Sequence, residues 1–124
     1  MSRHRPPARR PRATVRVVFI TAAHERQALA IARALIRERA AACVSCVARV
    51  RSLFRWQGRV DECRETLLIV KTTAARFPAV QRIVRRLHTY EVPEVLALPV
   101  VAGHRAYVDW VVTSCTPLTR SHSS

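Results

Sequence analysis

The chain has 124 residues, 49% hydrophobic and 24% charged with only two glycines, which is the composition of one globular domain large enough for a core. Its formal net charge is +14, and 21 of its 22 basic residues are arginine, Lys71 being the exception. No apolar run approaches the roughly 18 residues that span a bilayer, and the N-terminus carries no hydrophobic segment, so a membrane protein and a secretory signal are both unexpected and the chain reads as cytoplasmic.

Residues 1–13 carry Arg3, Arg5, Arg9, Arg10 and Arg12 among prolines, with no acid. This segment reads as a disordered, solvated tail; the functional alternative is an arm for nucleic acid or anionic lipid. Part of the arginine content is a compositional habit that overstates functional basicity. The domain is expected over 14–115, where fifteen arginines and Lys71 against eight acids leave +8, and 116–124 reads as a second disordered tail.

Val15–Thr21 is a β-branched and aromatic run that reads as a buried strand. Glu25–Arg39 reads as a helix, with Leu29, Ala32 and Ile36 in one stripe and Arg26, Arg33 and Arg37 outside it. Ala41–Trp56 and Arg59–Thr72 read as two long strands joined at Gln57-Gly58, where glycine accepts the positive φ of a tight hairpin. Phe77–Leu87 is the clearest helix, with Phe77, Val80, Ile83, Val84 and Leu87 on one stripe and Pro78 in the first turn. Val95–Val101 reads as a fourth strand, which Pro99 either ends or makes an edge. Arg105–Thr113 reads as a short last helix presenting Tyr107, Trp110 and Val111.

The order β-α-β-β-α-β is that of an α+β, ferredoxin-like fold, with the third strand between the first two and both helices on one sheet face. The hairpin strands far exceed the usual strand of roughly 5–6 residues. An overshooting edge needs a partner, so the long hairpin predicts a homo-oligomer. The four cysteines are expected as free thiols. Cys43 and Cys46 form a C-x-x-C, but on a strand positions three apart face opposite ways, so they do not share a metal or a disulfide without a bulge.

The densest chemistry is His88-Thr89-Tyr90-Glu91-Val92-Pro93-Glu94, at the junction of the second helix and the fourth strand, where Pro93 forbids helix. With the turn at Gln57-Gly58, an unbroken hairpin sets Cys43 opposite Thr72 and Val44 opposite Lys71. Cys43 and Lys71 then lie at one end of the sheet, and His88 and Glu94 at the other. Any site combining them must straddle two chains.

Several segments together resemble the CutA family of divalent-cation tolerance proteins. They are Ala41-Ala42-Cys43-Val44, Val50-Arg51-Ser52 with Arg55-Trp56-Gln57-Gly58, and Glu65 to Lys71-Thr72-Thr73. They continue with His88-x-Tyr90-Glu91-Val92-Pro93-Glu94, Leu98-Pro99-Val100, and Tyr107 with Trp110. The resemblance covers roughly residues 15–113. It implies a ferredoxin-like fold, an interlocked homotrimer, a cytoplasmic location and a link to Cu²⁺ or another divalent cation. Ser45, Phe54 and Thr89 depart from the family's usual Asn, Tyr and Pro.

The candidate metal ligands are His88 and Glu94, whose imidazole and carboxylate suit a borderline divalent ion, with Cys43 able to add a thiolate. A helix-capping role for His88 and ion pairing of Glu91 and Glu94 with arginine are the structural alternatives. Lys71, Trp56 and Tyr90 are the candidate ligand-contacting residues. Lys71, at a strand end beside a helix start, could hold an anion, while Trp56 and Trp110 also suit packing or an interface. The expected function is a non-enzymatic, metal-responsive homotrimer. A small-ligand sensor or scaffold with intersubunit clefts is the alternative. Nucleic-acid binding ranks last, because the domain lacks RNA-binding signature glycines and surface aromatics on a strand.

Overall fold

The computed structural model describes residues 14–118. The tail expected over 1–13, and 119–124 of the second tail, lie outside the described residues. In chain order the elements are β1 (Val15–Ala22), α1 (Glu25–Arg37), β2 (Cys43–Trp56), β3 (Arg59–Thr73), α2 (Phe77–Leu87), β4 (Val95–Pro99) and α3 (Arg105–Cys115). The strands form one antiparallel sheet in the order β2-β3-β1-β4, the expected ferredoxin-like arrangement.

Alternation along the strands divides the sheet into two unlike faces. Val18, Ile20, Leu68 and Val70 point toward α1 and α2 and pack with Ile31, Leu35, Val80, Ile83 and Val84 in the main core. The other face carries rows of cross-strand partners: Leu98, Val17, Lys71 and Cys43 in one, and Leu96, Phe19, Ile69 and Ser45 in the next. Neither α1 nor α2 covers it, and Leu96 is 59% exposed. α3 closes the Val15 end of the sheet through Val108, Val111 and Cys115, leaving Tyr107 and Trp110 tilted against each other, with ring centroids 5.5 Å apart, and exposed.

Element ends differ from the sequence reading in ways the backbone explains. α1 stops at Arg37 because Arg39 turns left-handed at φ 56° and the N–H groups of Ala40 and Ala41 fold back onto the Leu35 carbonyl. β4 is an edge strand and also ends at Pro99, two residues before the expected Val101. Thr116, expected in a disordered tail, is tied down: it caps α3, and its carbonyl accepts from Arg39 Nε at 2.7 Å.

The hairpin overshoots as expected. β3 pairs with β1 only from Thr66 to Thr73, whereas Arg59–Glu65 pairs with β2 alone. Its register holds one surprise. Val50 opposes Glu65 and Val47 opposes Leu67, so Ala48 and Arg49 together face Thr66 in a β-bulge, with Arg49 left-handed at φ 60°. The extra residue corrects the expected pairing: Cys43 opposes Lys71, not Thr72, and Val44 opposes Val70, not Lys71. It also turns Phe54 and Trp56 to the uncovered face, the same side as Cys43; strict alternation would have put them on the helix side.

At the tip both Gln57 (φ 51°) and Gly58 (φ 80°) are left-handed, the requirement of a two-residue type I′ turn. Glutamine bears a steric cost there that asparagine largely escapes. Gln57→Asn should raise the unfolding free energy by up to about 1 kcal/mol in chemical denaturation; an unchanged or lower midpoint would contradict this turn geometry.

Candidate functional site

The His88–Glu94 segment forms one wall of a cleft of about 870 Å³ on the uncovered side of the overshooting hairpin. The opposite wall is Ser52, Phe54 and Trp56 of β2 with Asp61, Cys63 and Glu65 of β3, and Thr21 of β1 lies at the end. The bulge brings these β2 side chains to this side. Four of the eight acids described, Asp61, Glu65, Glu91 and Glu94, line the cleft, against the single cation Arg51. Arg51 is itself paired with Glu62 at 2.6 Å.

His88 caps the C-terminus of α2, its N–H donating to the Val84 carbonyl. Its ring is committed on both sides. Nδ1 accepts the Tyr90 backbone N–H at 3.1 Å, and Nε2 lies 2.7 Å from the Thr21 carbonyl. This network assigns the proton to Nε2 and the only free lone pair to Nδ1, where it is already used. The ring therefore clasps the loop to β1, and an ion bound at Nδ1 would have to displace the Tyr90 amide. Thr89, where the family's usual proline is absent, adds a second tie by accepting from Gln27 Nε2 at 3.1 Å.

Tyr90 tilts against the His88 ring, with centroids 4.6 Å apart, and its hydroxyl donates to Glu65 Oε2 at 2.7 Å. Glu65 is only 7% exposed. Burial, reinforced by the hydrogen bond and the charge of Glu65, pushes the Tyr90 phenol well above its usual range. Burial, together with the nearby Glu65 and Asp61, pushes the Cys63 thiol up. Glu94 receives a long hydrogen bond from Thr21 Oγ1 at 3.5 Å, while Glu91 is exposed. Among the described residues neither pairs with arginine, so the expected ion-pair role of both is absent. Trp56 is 42% exposed and lines the cleft rather than filling a core.

Cys43 and Lys71 lie elsewhere. Lys71 Nζ is 3.6 Å from Cys43 Sγ and 3.3 Å from Ser45 Oγ, so Ser45 retains a polar partner despite replacing the family's asparagine. Lys71 is on the face turned away from α2, which corrects its expected place beside that helix's start. Its neighbour through Cys43 is Tyr107 of α3, whose phenol is raised by burial and by the Cys43 thiol. Thr21, held by His88, is four residues along β1 from Val17, the partner of Lys71. At about 3.3 Å per residue this separates Cys43 from His88 by roughly 13 Å along the sheet, before two strand spacings across it. Within one chain His88 and Glu94 both meet Thr21, while Cys43 is kept apart from them, as the topology requires. Among the described residues no three His, Cys, Asp or Glu side chains gather as a metal site. Cys46 faces the helices, opposite to Cys43, and all four cysteines are free.

Sequence reasoning named the loop but missed its opposite wall. Phe54 and Trp56 meet Asp61 and Glu65 on the side of Cys43 only through the bulge in β2, and Thr21 reaches the cleft through the pairing of β1 with β4.

These features define a ferredoxin-like α+β protein with one uncovered sheet face and an acidic, aromatic cleft beside it. The chain belongs to the CutA1 divalent ion tolerance protein family, which it matches over residues 16–114. It is 50% identical over 95 residues, 77% of this chain and 92% of the relative, to the divalent-cation tolerance protein CutA of Thermus thermophilus. The mouse protein CutA is 41% identical over 98 residues, which is 79% of this chain but only 55% of the mouse protein. Among solved structures, the Thermus thermophilus protein superposes with a TM-score of 0.79 at 48% identity, covering 81% of this chain and 97% of that one. The CutA of Xylella fastidiosa gives 0.80 at 34% identity, over 83% and 99%.

The Tyr90–Glu65 pair carries a pH signature. A phenol whose value is higher folded than unfolded contributes stability that is full below the unfolded value near 10 and lost as pH rises toward the folded one. Stability should therefore fall above about pH 10, and Tyr90→Phe should remove part of that fall. At neutral pH the same substitution, by stripping the donor from buried Glu65, should cost about 1–3 kcal/mol. Urea midpoints between pH 7 and 11 check both; a wild-type and variant that respond alike would contradict the pairing.

Proposed function

We propose that this protein is a non-enzymatic divalent-cation tolerance protein that acts as a cytoplasmic homotrimer and takes up Cu²⁺ or a similar ion at the acidic cleft. The observation that carries this reading is the placement of Asp61, Glu65, Glu91 and Glu94 on one cleft of a chain whose formal charge is +14. Carboxylates so concentrated raise the local cation concentration, and Glu91 and Glu94 are exposed to receive an ion. Family membership points the same way. Because the described residues of one chain offer no closed ligand set, further ligands would come from a second copy, and Cys43 at the far end of the sheet is a thiolate available for that. The uncovered row of Leu96, Phe19 and Ile69, with the exposed Tyr107 and Trp110, supports association of copies through this face. The free thiols support a reducing compartment. The CutA of Archaeoglobus fulgidus, a structural relative, is described as periplasmic.

The cleft also favours the second reading, a sensor of a small organic ligand. Its volume lies in the usual range for such sites, roughly 300–1,000 Å³, and Phe54, Trp56 and Tyr90 supply stacking surface.

Calorimetric titration with Cu²⁺ separates the two readings. The metal reading expects saturable binding that weakens tenfold or more, about 1.4 kcal/mol, in Glu91→Gln/Glu94→Gln, with the melting temperature unchanged. Absence of Cu²⁺, Zn²⁺ and Co²⁺ binding, or binding indifferent to these two carboxylates, would contradict it.

A further inference from the structure

We propose that the outer surface of the α1–α2 layer is a docking face for the phosphate backbone of a nucleic acid. This surface is on the opposite side of the molecule from the uncovered sheet face, so association of copies through that face, as proposed above, leaves it open.

The placement of six arginines carries the proposal. Arg26, Arg33 and Arg37 are seven and four residues apart on α1, which on a helix of 3.6 residues per turn puts them on one line, with intervals of roughly 10 and 6 Å. Arg82, Arg85 and Arg86 share one side of α2. The apolar sides of both helices are spent on the sheet, with Ile31, Leu35, Val80 and Ile83 buried, so the arginines face solvent, and all six are exposed. Their number here is not a uniform spread of charge. Arg39 and Arg76, at the edge of the same layer, donate to backbone carbonyls and are committed to the fold. Only two of the eight acids, Glu25 and Glu38, are on this layer, whereas four line the cleft on the other side.

Glu38 shows that the two rows converge on an anion. Its carboxylate accepts from Arg86 Nη2 at 2.6 Å. That hydrogen bond, with the charges of Arg86, Arg37 and Arg82, holds its carboxyl below the ordinary range. One carboxylate is thus approached by arginines from both helices, the arrangement a phosphodiester oxygen would meet.

The same surface argues against a bilayer. Interfacial helices insert a broad apolar side, and here the apolar sides are buried against the sheet except for Ile36, a single residue 44% exposed. The arginine rows carry no aromatic to stack on bases, so the contact reads charge and spacing rather than sequence.

The test is fluorescence anisotropy of the full chain with a labelled DNA duplex across a salt series. The variant Arg33→Gln/Arg37→Gln/Arg82→Gln/Arg85→Gln is compared with Arg55→Gln/Arg59→Gln/Arg64→Gln/Arg105→Gln, which removes the same charge away from the layer. Both keep residues 1–13, so the tail contributes equally. The proposal expects wild-type affinity to fall steeply with salt, and the helix-face variant to lose tenfold or more with a slope smaller by about 3–4. The control should change less than about twofold, since it touches none of the phosphate contacts. Glu38→Gln, which frees Arg86, should tighten binding. Equal losses in the two variants would reduce the effect to net charge and overturn the proposal. So would no DNA binding at low salt, or weaker binding by Glu38→Gln. Tighter, arginine-dependent binding to phosphatidylglycerol vesicles than to DNA would overturn it in favour of a membrane. These readouts are independent of Cu²⁺, so failure here leaves the cleft reading intact.

Discussion

Two helices can cover only one face of a four-stranded sheet. In this chain that limit organises everything else. The face carrying Val18, Ile20, Leu68 and Val70 takes α1 and α2 and becomes the core. The face carrying Phe19, Ile69, Leu96 and Leu98 is left apolar and uncovered, with α3 closing only its end. A hairpin almost twice as long as β1 then projects past the sheet on that side, and the cleft forms in the angle between hairpin and loop.

The hairpin would not make that cleft without its bulge. One extra residue at Ala48-Arg49 rotates the distal strand so that Phe54 and Trp56 look the same way as Cys43. On the other wall His88 does mechanical work. By joining the Thr21 carbonyl to the Tyr90 amide, it fixes where Tyr90 points, and Tyr90 in turn engages Glu65. The imidazole that looked most like a metal ligand thus aims the tyrosine that engages the buried Glu65. Cation binding at the cleft would depend on it indirectly.

How much of this was legible in the sequence follows from the range of the signals. All seven elements were, because apolar spacing within 5–15 residues defines each of them, and the strand order followed from the crossover rule. Pro78, Gly58 and Pro99 marked ends and turns for local reasons. The bulge was not legible: the residue that turns left-handed is Arg49, where glycine or asparagine would have announced it. Nor was the commitment of His88, whose acceptor Thr21 is 67 residues away in sequence. The sorting of charge is of the same kind. The net value shows in a count, but that arginines collect on the helical layer and carboxylates in the cleft appears only once α1 and α2 are laid side by side.

The claim on which the account rests is that copies of this chain cover the uncovered face. Sedimentation equilibrium of the full chain at micromolar concentration tests it directly. The account predicts a species of three times the 14.0 kDa chain mass. A stable 14.0 kDa monomer, with Leu96, Phe19 and Trp110 left to water, would contradict it.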